Sequence, residues 1–149
     1  MATNTTVVHA GAAQVFAVLS DGWVYSNWVV GTSHMRAVEA DWPAVGSRLF
    51  HASGAWPFVA RDETTVLECE PPSRLVLTAK AHPFGEATIT LELTDEAAGC
   101  RVVLTETPSA GPGRWFNNPA AEALLVRRNV ETLARLAALA ERRTTPHDR

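Results

Sequence analysis

Lysine and cysteine are scarce in this chain of 149 residues. Lys80 is the only lysine among 13 basic residues, and Cys69 and Cys100 are the only cysteines. Two cysteines so far apart along the chain provide neither a disulfide framework nor a zinc motif, so we expect reduced thiols. The net charge of −3 also argues against a surface that binds nucleic acid or an anionic membrane.

Several recognisable motifs are also absent. No apolar run approaches the ~18 residues that suggest a membrane span. The segment from Met1 to Val8 lacks the positive start and apolar core of a secretion signal. The histidines are scattered, and neither a phosphate-binding glycine loop nor a nucleophile motif is present. We therefore expect a cytoplasmic protein without metal, cofactor, nucleic-acid partner or stable membrane insertion, as a monomer or a homodimer.

The composition is that of one packed domain. Hydrophobic residues make up 46% of the chain and charged residues 19%, which is typical of a globular protein rather than a disordered one. No repeat or change of composition divides the chain. The prediction is a single domain over residues 1–143, followed by a disordered tail at residues 144–149.

The hydrophobic pattern predicts one strand, two short helices, six further strands and a long helix. An extended segment at Thr5–His9 precedes a helical cluster at Val15–Leu19, and a second short helix is predicted around Trp23–Val30. From Met35 onward the period is two, and the short turns between segments indicate antiparallel pairing. The candidate strands are Met35–Asp41, Arg48–Ser53, Phe58–Glu70, Arg74–His82, Glu86–Asp95 and Cys100–Thr107.

An amphipathic helix is predicted from Pro119, after an N-cap at Asn118, to about Arg143. Its apolar stripe contains Leu125, Val126, Val130, Leu133, Leu136, Ala137 and Ala140; its polar face contains Arg127, Arg128, Glu131, Arg135 and Arg142. Only this helix is long enough to cover the dry face of a curled sheet. Because two short helices at one end would leave a gap, we expect a deep, mostly apolar pocket between sheet and helix.

Five short motifs follow one another along the chain. They are Val15-Phe16-x-Val18-Leu19-x-Asp21, Tyr25-x-x-Trp28-Val29-x-Gly31, Asp41-Trp42-Pro43 with Gly46-Ser47, Val66-Leu67-Glu68-x-Glu70-Pro71-Pro72-x-Arg74-Leu75, and Arg127-Arg128-Asn129-x-Glu131-x-Leu133. In this order they resemble the START-related polyketide cyclase/dehydrase superfamily (SRPBCC), in its uncharacterised bacterial branch. The resemblance covers residues 5–143.

The resemblance implies an α+β helix-grip fold. Its parts are a seven-stranded curled antiparallel sheet around the long C-terminal helix, two short helices between strands 1 and 2, and a hydrophobic ligand tunnel. In that strand order Cys69 and Cys100 would lie three strands apart, about 14 Å, which is beyond disulfide reach. The superfamily includes carriers, receptors and enzymes without a shared catalytic residue, so the fold alone does not fix the activity.

Four polar side chains share strand or helix positions with apolar neighbours. Glu122 and Asn129 fall on the apolar stripe of the long helix, Glu106 shares parity with Leu104, and His51 shares parity with Leu49. Purely structural interpretations are also open: Asn129 could hydrogen-bond the sheet, Glu122 could pair with an arginine, and Glu106 could lie at a frayed strand end. Together they are typical of a small-molecule site with a few convergent polar groups.

Aromatic and apolar residues complete the candidate site. Tyr25 and Trp28 in the short helices, with aromatics in the loops, could line a pocket mouth or simply pack in the core. The predicted ligand-binding residues are Trp28, Trp56, Phe58, Leu91, Trp115, Glu122, Val126, Asn129 and Leu133. The candidate acid/base residues are His51, Glu106 and Tyr25, with Glu122 as a further possibility.

Three functions are compatible with these observations. The first is a protein that binds or carries a small hydrophobic molecule, with aromatic or polyketide-like ligands among the candidates. The second is a polyketide cyclase/aromatase-type enzyme, which needs a shaped cavity and one or two acid/base groups. The third is a protein-interaction module, which would need an exposed apolar patch or sheet edge. The sequence leaves open whether the chain is an enzyme.

Overall fold

The computed structural model describes residues 1–53, 60–81, 85–111 and 119–144. The strands are β1 (Ala2–Val8), β2 (Thr32–Val38), β3 (Arg48–Ser53), β4 (Ala60–Glu70), β5 (Arg74–Ala81), β6 (Gly85–Glu96) and β7 (Gly99–Ala110). The helices are α1 (Ala12–Ser20), a 3₁₀ turn (Gly22–Val24), α2 (Tyr25–Trp28) and α3 (Pro119–Thr144).

The seven strands form one antiparallel sheet in the order β1-β7-β6-β5-β4-β3-β2. From β2 to β7, each strand pairs with the next one along the chain as a hairpin. The chain passes through the short helices between β1 and β2. The predicted α+β helix-grip architecture is confirmed, with the two short helices between β1 and β2. Cys69 on β4 and Cys100 on β7 are free and three strands apart, as expected.

The core lies between the helices and one face of the sheet, which we call the inner face. Strand alternation puts Leu75, Leu77 and Leu91 on this face, where all three are fully buried. Leu133 and Leu136 from the second half of α3 pack into the same cluster. Full burial of one such side chain contributes about 1.5–3 kcal/mol, so this cluster holds α3 against the sheet.

Helix α3 is about 39 Å long at 1.5 Å per residue and runs along β1, α1 and α2. Polar bonds fix it along this path. Asn4 Nδ2 donates to the Val126 carbonyl at 3.0 Å, and Thr132 Oγ1 accepts from the Val30 N–H at 3.2 Å. Near the end of the helix, an Arg143–Asp21 ion pair at 2.9 Å ties it to the segment after α1.

Several predicted element boundaries are wrong. Strand β2 spans Thr32–Val38 rather than Met35–Asp41, because the chain turns after Glu39, where the Glu39 carbonyl accepts from the Trp42 N–H. Strand β7 continues past Thr107 to Ala110. Pro108 is tolerated there because it lies beside an irregularity between Glu86 and Ala87 of β6.

Other boundary differences are small. The second short helix divides into the 3₁₀ turn and the one-turn α2, and α3 extends through Thr144, which was predicted to belong to the tail. The predicted beginning of β4 at Phe58, the end of β5 at His82 and the N-cap Asn118 lie outside the described residues. The single-domain prediction has no independent test and stays a prediction.

Some residues lie on faces other than those predicted. Val130 is 58% exposed and Glu122 is exposed, so neither belongs to the buried stripe of α3. Trp23, at the start of the predicted second helix, is also exposed, whereas Trp42 is buried. Arg128 was assigned to the solvated face, but its guanidinium contacts a buried carboxylate of the sheet. A long side chain at the margin of the apolar stripe can reach inward, which a helical projection does not reveal.

Candidate functional site

A buried hydrogen-bond chain joins α2 to the inner face of the sheet. Tyr25 Oη lies 3.1 Å from Thr64 Oγ1, and Thr64 Oγ1 lies 3.0 Å from His51 Nε2. The Tyr25 and His51 rings also stack with centroids 5.4 Å apart, while Trp28 meets Tyr25 edge-on at 5.3 Å. Because a hydroxyl both donates and accepts, Thr64 can pass a proton between the phenol and the imidazole.

Local sequence explains how Tyr25 reaches this position. Gly22 lies so close to β2 and β3 that an added Cβ would be 2.6 Å from Leu49 Cδ2 and 2.7 Å from Val38 Cγ1. A larger residue would have to displace these two side chains or the 3₁₀ turn itself. Since α2 begins three residues later, Gly22 sets how deeply Tyr25 enters the core.

Burial controls the protonation of this chain. Removal from water raises the pKa of Tyr25 to about 12, with the nearby Glu106 carboxylate adding to the rise and Thr64 and Arg128 opposing it. Burial also lowers the pKa of His51, assisted by Arg36 and opposed by the Asp62 carboxylate opposite it on β4. At neutral pH the chain therefore consists of a neutral phenol and a neutral imidazole.

The lowered pKa of His51 makes stability depend on pH. Above about pH 6.5, the usual pKa of histidine, the neutral ring is present in both folded and unfolded chains. As the pH falls below that value, the unfolded chain binds a proton first, so the free energy of unfolding decreases. We expect His51→Gln to flatten this acid-side decrease in urea unfolding measured at a series of pH values. His34→Gln, at an exposed histidine, should leave it unchanged; an unaltered slope in His51→Gln would contradict the assignment.

A second polar cluster joins α3 to β7. Arg128 Nη2 contacts both carboxylate oxygens of Glu106, and Asn129 Nδ2 donates to Glu106 Oε2 at 3.1 Å. Glu106 is 5% exposed and Asn129 is 2% exposed, whereas the Arg128 side chain remains 36% exposed. Glu106 was predicted as an inward residue, and it lies within a continuous strand rather than at a frayed end. The pair neutralises a carboxylate that would otherwise be buried at high cost.

Two polar atoms near this cluster lack hydrogen-bond partners among the described residues. They are Arg128 Nε, a donor, and Asn4 Oδ1, an acceptor, and both are buried. Asn4 is 8% exposed and is bonded through its Nδ2 to the carbonyl of Val126, two residues before Arg128. The side chains of both unpartnered atoms therefore lie near the same turn of α3: Arg128 belongs to the helix, and Asn4 reaches it from β1. Native proteins contain few such groups, so this part of α3 is unusual in its hydrogen bonding.

Beyond the packed core, the side chains on the inner face are small and some are partly exposed. A row across the sheet places Thr64 of β4 opposite Ala79 of β5, and Ala79 opposite Ala87 of β6. Leu77, two residues before Ala79, is fully buried, but Ala79 and Ala87 are only half-buried. The alanine side chains here extend less far from the sheet than the leucines do elsewhere. We call Thr64, Ala79 and Ala87 the small-residue floor.

Helix α3 shows the same gradient along its length. Leu133, Leu136 and Ala140 in its second half are buried, whereas Leu125 and Val126 in its first half are only half-buried. None of the residues from Pro119 to Leu125 is buried. The helix is therefore packed against the core at its C-terminal half and loosely covered at its N-terminal half.

The structure brings many of the predicted site residues together. Tyr25, Trp28 and His51 form one contact group, and Glu106 and Asn129 form the other. Coulombic interaction of Tyr25 with Glu106 and Arg128 links the two groups. Val126 contributes its carbonyl to Asn4.

The structure describes three of the remaining predicted residues. Leu91 and Leu133 belong to the packed core, and Glu122 is exposed at the start of α3. Trp56, Phe58 and Trp115 lie outside the described residues. The ligand-binding roles assigned to all these residues stay predictions.

Sequence reasoning missed Thr64, Arg128 and Asn4. Strand parity could have indicated two of them. Thr64 faces the same side of its strand as the buried Val66, and Asn4 faces the same side as the buried Ala2 and Val8. No sequence pattern distinguishes Arg128 from its neighbour Arg127, which is exposed on the same helix.

No group of three or more histidine, cysteine, aspartate or glutamate side chains in the described ranges could hold a metal ion. No described helix is both long and apolar enough to cross a membrane.

Comparison with known proteins identifies the family. The profile described as "Polyketide cyclase / dehydrase and lipid transport" matches residues 2–141. The chain belongs to this family. Membership of the polyketide cyclase/dehydrase and lipid transport family supports a ligand-binding or cyclase role in general. No curated protein matches the sequence.

Solved structures share the fold of this family member. A protein from Chromobacterium violaceum is 19% identical with a TM-score of 0.72, covering 93% of this chain and 96% of its own. A Thermus thermophilus protein is 15% identical with a TM-score of 0.70, covering 97% of this chain and 99% of its own. The di-domain ARO/CYC StfQ from the steffimycin biosynthetic pathway is 12% identical with a TM-score of 0.70, covering 95% of this chain and 50% of StfQ. At these identities the likeness concerns the fold.

Proposed function

We propose that this protein binds a small hydrophobic molecule between the inner face of the sheet and the first half of α3. The observation that carries the proposal is a loss of burial along two elements. On the sheet, fully buried Leu77 is followed by half-buried Ala79 and Ala87, and on α3 the buried second half is preceded by half-buried Leu125 and Val126. An apolar surface with a few buried polar groups is the usual composition of such a site. Aromatic and polyketide-like molecules suit it because flat rings pack closely against apolar side chains.

Native mass spectrometry tests this proposal without assuming a ligand. Protein purified from its own host is expected to carry an additional mass that is lost on denaturation and extracted by organic solvent. The extracted compound should bind again to the emptied protein. Protein that carries no small molecule, and that binds none from an extract of the same cells, would contradict the proposal.

The second candidate function is a polyketide cyclase/aromatase-type reaction. It is favoured by the Tyr25–Thr64–His51 chain, in which an acid and a base share one hydroxyl. Neutral imidazole is the form that accepts a proton from an activated methylene of a substrate. The same chain would also serve as a satisfied structural cluster, so only turnover distinguishes the two roles.

Thr64→Val separates catalysis from binding. Valine keeps the shape of threonine and removes the hydroxyl, so the relay is broken while the small-residue floor remains. If the protein cyclises a poly-ketone chain, we expect turnover to fall about 100-fold, as for loss of a general acid–base group. Ligand affinity should change less than about threefold, since the hydroxyl bonds only protein atoms. Thr78→Val, on the outer face of β5, is the matched control, and undiminished turnover in Thr64→Val would exclude the relay.

A further inference from the structure

The side of α3 that points away from the sheet is largely apolar. Its exposed residues recur every three or four positions and so share one side of the helix. We call them the exposed stripe: Ala120, Ala123, Leu124, Arg127, Val130, Glu131, Ala134 and Arg135. Only the two arginines and the glutamate are charged, whereas a helix face turned to water normally carries mostly charged and polar side chains.

Two large apolar side chains of the exposed stripe are left in water. Leu124 is 70% exposed and Val130 is 58% exposed, and they lie less than two helical turns apart. Covering one such side chain contributes about 1.5–3 kcal/mol. Valine also has a lower helix propensity than alanine, so helix formation does not account for Val130. Burial against another molecule accounts for both residues.

The charges of the exposed stripe complement a second copy of the same stripe. Arg127 has no ion-pair partner among the described residues. Glu131 accepts from Arg135 of its own helix at 3.0 Å through Oε1, and a carboxylate accepts at both of its oxygens. The stripe therefore offers one unpaired cation and, one turn further on, an anion that can take a second donor.

Twofold symmetry determines which of these residues meet. In an antiparallel pair of α3 helices whose axis lies level with residue 129, positions equally far before and after 129 face each other. Arg127 then lies opposite Glu131 of the other copy, Leu124 lies opposite the small Ala134, and Val130 lies beside its own counterpart. In a parallel pair Arg127 would face Arg127 and Glu131 would face Glu131, so repulsion disfavours that arrangement.

We propose that two copies of this chain associate through their exposed stripes as an antiparallel, twofold-symmetric dimer. Arg127 of each copy pairs with Glu131 of the other, and Leu124 and Val130 become buried. The interface uses the side of α3 that points away from the proposed ligand site, so it does not depend on the ligand-binding function.

The size of the interface sets the expected affinity. A single helix pair contributes far fewer residues than the roughly 20–30 a side of a standard interface, so we expect a dissociation constant of about 10–100 µM. At a few micromolar protein most chains are then monomeric, and the dimer adds little to the free energy of unfolding.

Sedimentation velocity over a range of protein concentrations tests the dimer. We expect the wild-type sedimentation coefficient to rise toward that of two chains between about 1 and 500 µM. Leu124→Gln removes apolar contact at an exposed position and should weaken association at least about tenfold. A wild-type chain that stays monomeric at about 500 µM would overturn the proposal and leave the exposed stripe to solvent or to a different protein.

Two charge reversals test the pairing itself. Arg127→Glu sets glutamate opposite glutamate, and Glu131→Arg sets arginine opposite arginine, so each variant alone should associate at least about tenfold more weakly than wild type. An equimolar mixture of the two variants restores opposite charges at both contacts, so its association should return close to that of wild type. Arg61→Glu makes the same charge change at an exposed residue of β4 and should dimerise like wild type.

The mixing experiment distinguishes this interface from any other. Association that neither charge reversal weakens, or that the mixture fails to restore, would mean a different surface or orientation, and the proposal would fail. Both substituted positions are exposed, and far-ultraviolet circular dichroism of each variant checks that the helix is retained. The wild-type concentration series needs no variant, so the dimer stays testable by itself.

Discussion

Arg128→Met is expected to lower the free energy of unfolding by about 3 kcal/mol. The reason is the carboxylate that remains: Glu106 is 5% exposed and, among the described residues, would keep only Asn129 as a donor. Removing one partner of a buried pair typically costs about 3–5 kcal/mol, and the lower end applies because the Arg128 side chain is 36% exposed. Urea unfolding monitored by far-ultraviolet circular dichroism measures the change.

A double-mutant cycle separates the loss of the pair from the loss of packing. Glu106→Leu/Arg128→Met replaces both charges with apolar groups, so much of the stability lost in Arg128→Met should return. Arg127→Met, at the exposed arginine beside it, is the matched control and should stay within about 0.5 kcal/mol of wild type. Equal effects of Arg127→Met and Arg128→Met would contradict an inward ion pair.

The fold could be predicted largely from the sequence because local pattern and global architecture agree. Alternation in β5 and β6 put the leucines on one face. The turns between strands are too short for the crossovers that parallel pairing needs, so the strands had to pair as antiparallel hairpins. The edges of elements were less predictable. The end of β2 depends on the turn after Glu39, and the extension of β7 depends on where Pro108 meets an irregularity in its neighbour.

The candidate site was predictable only where parity decides burial. His51 and Glu106 share strand parity with apolar residues, and Asn129 lies on the apolar stripe of α3. All three are buried. Which of them touch one another depends on how strands and helices pack, and periodicity along one segment contains no such information. Thr64 illustrates this limit: strand parity indicates that it faces inward, but only packing places Tyr25 and His51 on either side of it.

Arg128 shows a different limit. A helical projection assigns each residue a direction from its Cα, but the flexible stem of arginine carries its charge several ångströms away from that direction. The outcome depends on whether an inward carboxylate lies within reach, and Glu106 is 22 residues earlier in the chain. Predicting the pair requires the register of β7 against α3, which the sequence pattern does not contain.

Ala79→Phe is expected to abolish ligand binding while leaving the fold intact. Ala79 lies in the middle of the small-residue floor, between Thr64 and Ala87, and it is only half-buried. A phenyl ring there would extend into the region that we propose the ligand occupies. Affinity for 2-ethylnaphthalene, a flat apolar probe molecule, should fall at least about 100-fold, since ring and probe exclude each other sterically. Thr78→Phe, on the outer face of the same strand, should bind like wild type.

Stability decides between a binding space and an ordinary core at this position. If side chains already filled the region above Ala79, the added ring would be overpacked and would cost about 1–3 kcal/mol. If the region is open, the ring buries apolar surface without displacing neighbours, and the free energy of unfolding should not decrease by more than about 1 kcal/mol. Loss of binding with retained stability in Ala79→Phe therefore supports an open site. Marked destabilisation would instead mean that α3 closes onto the sheet along its whole length, and the ligand-binding proposal would fail.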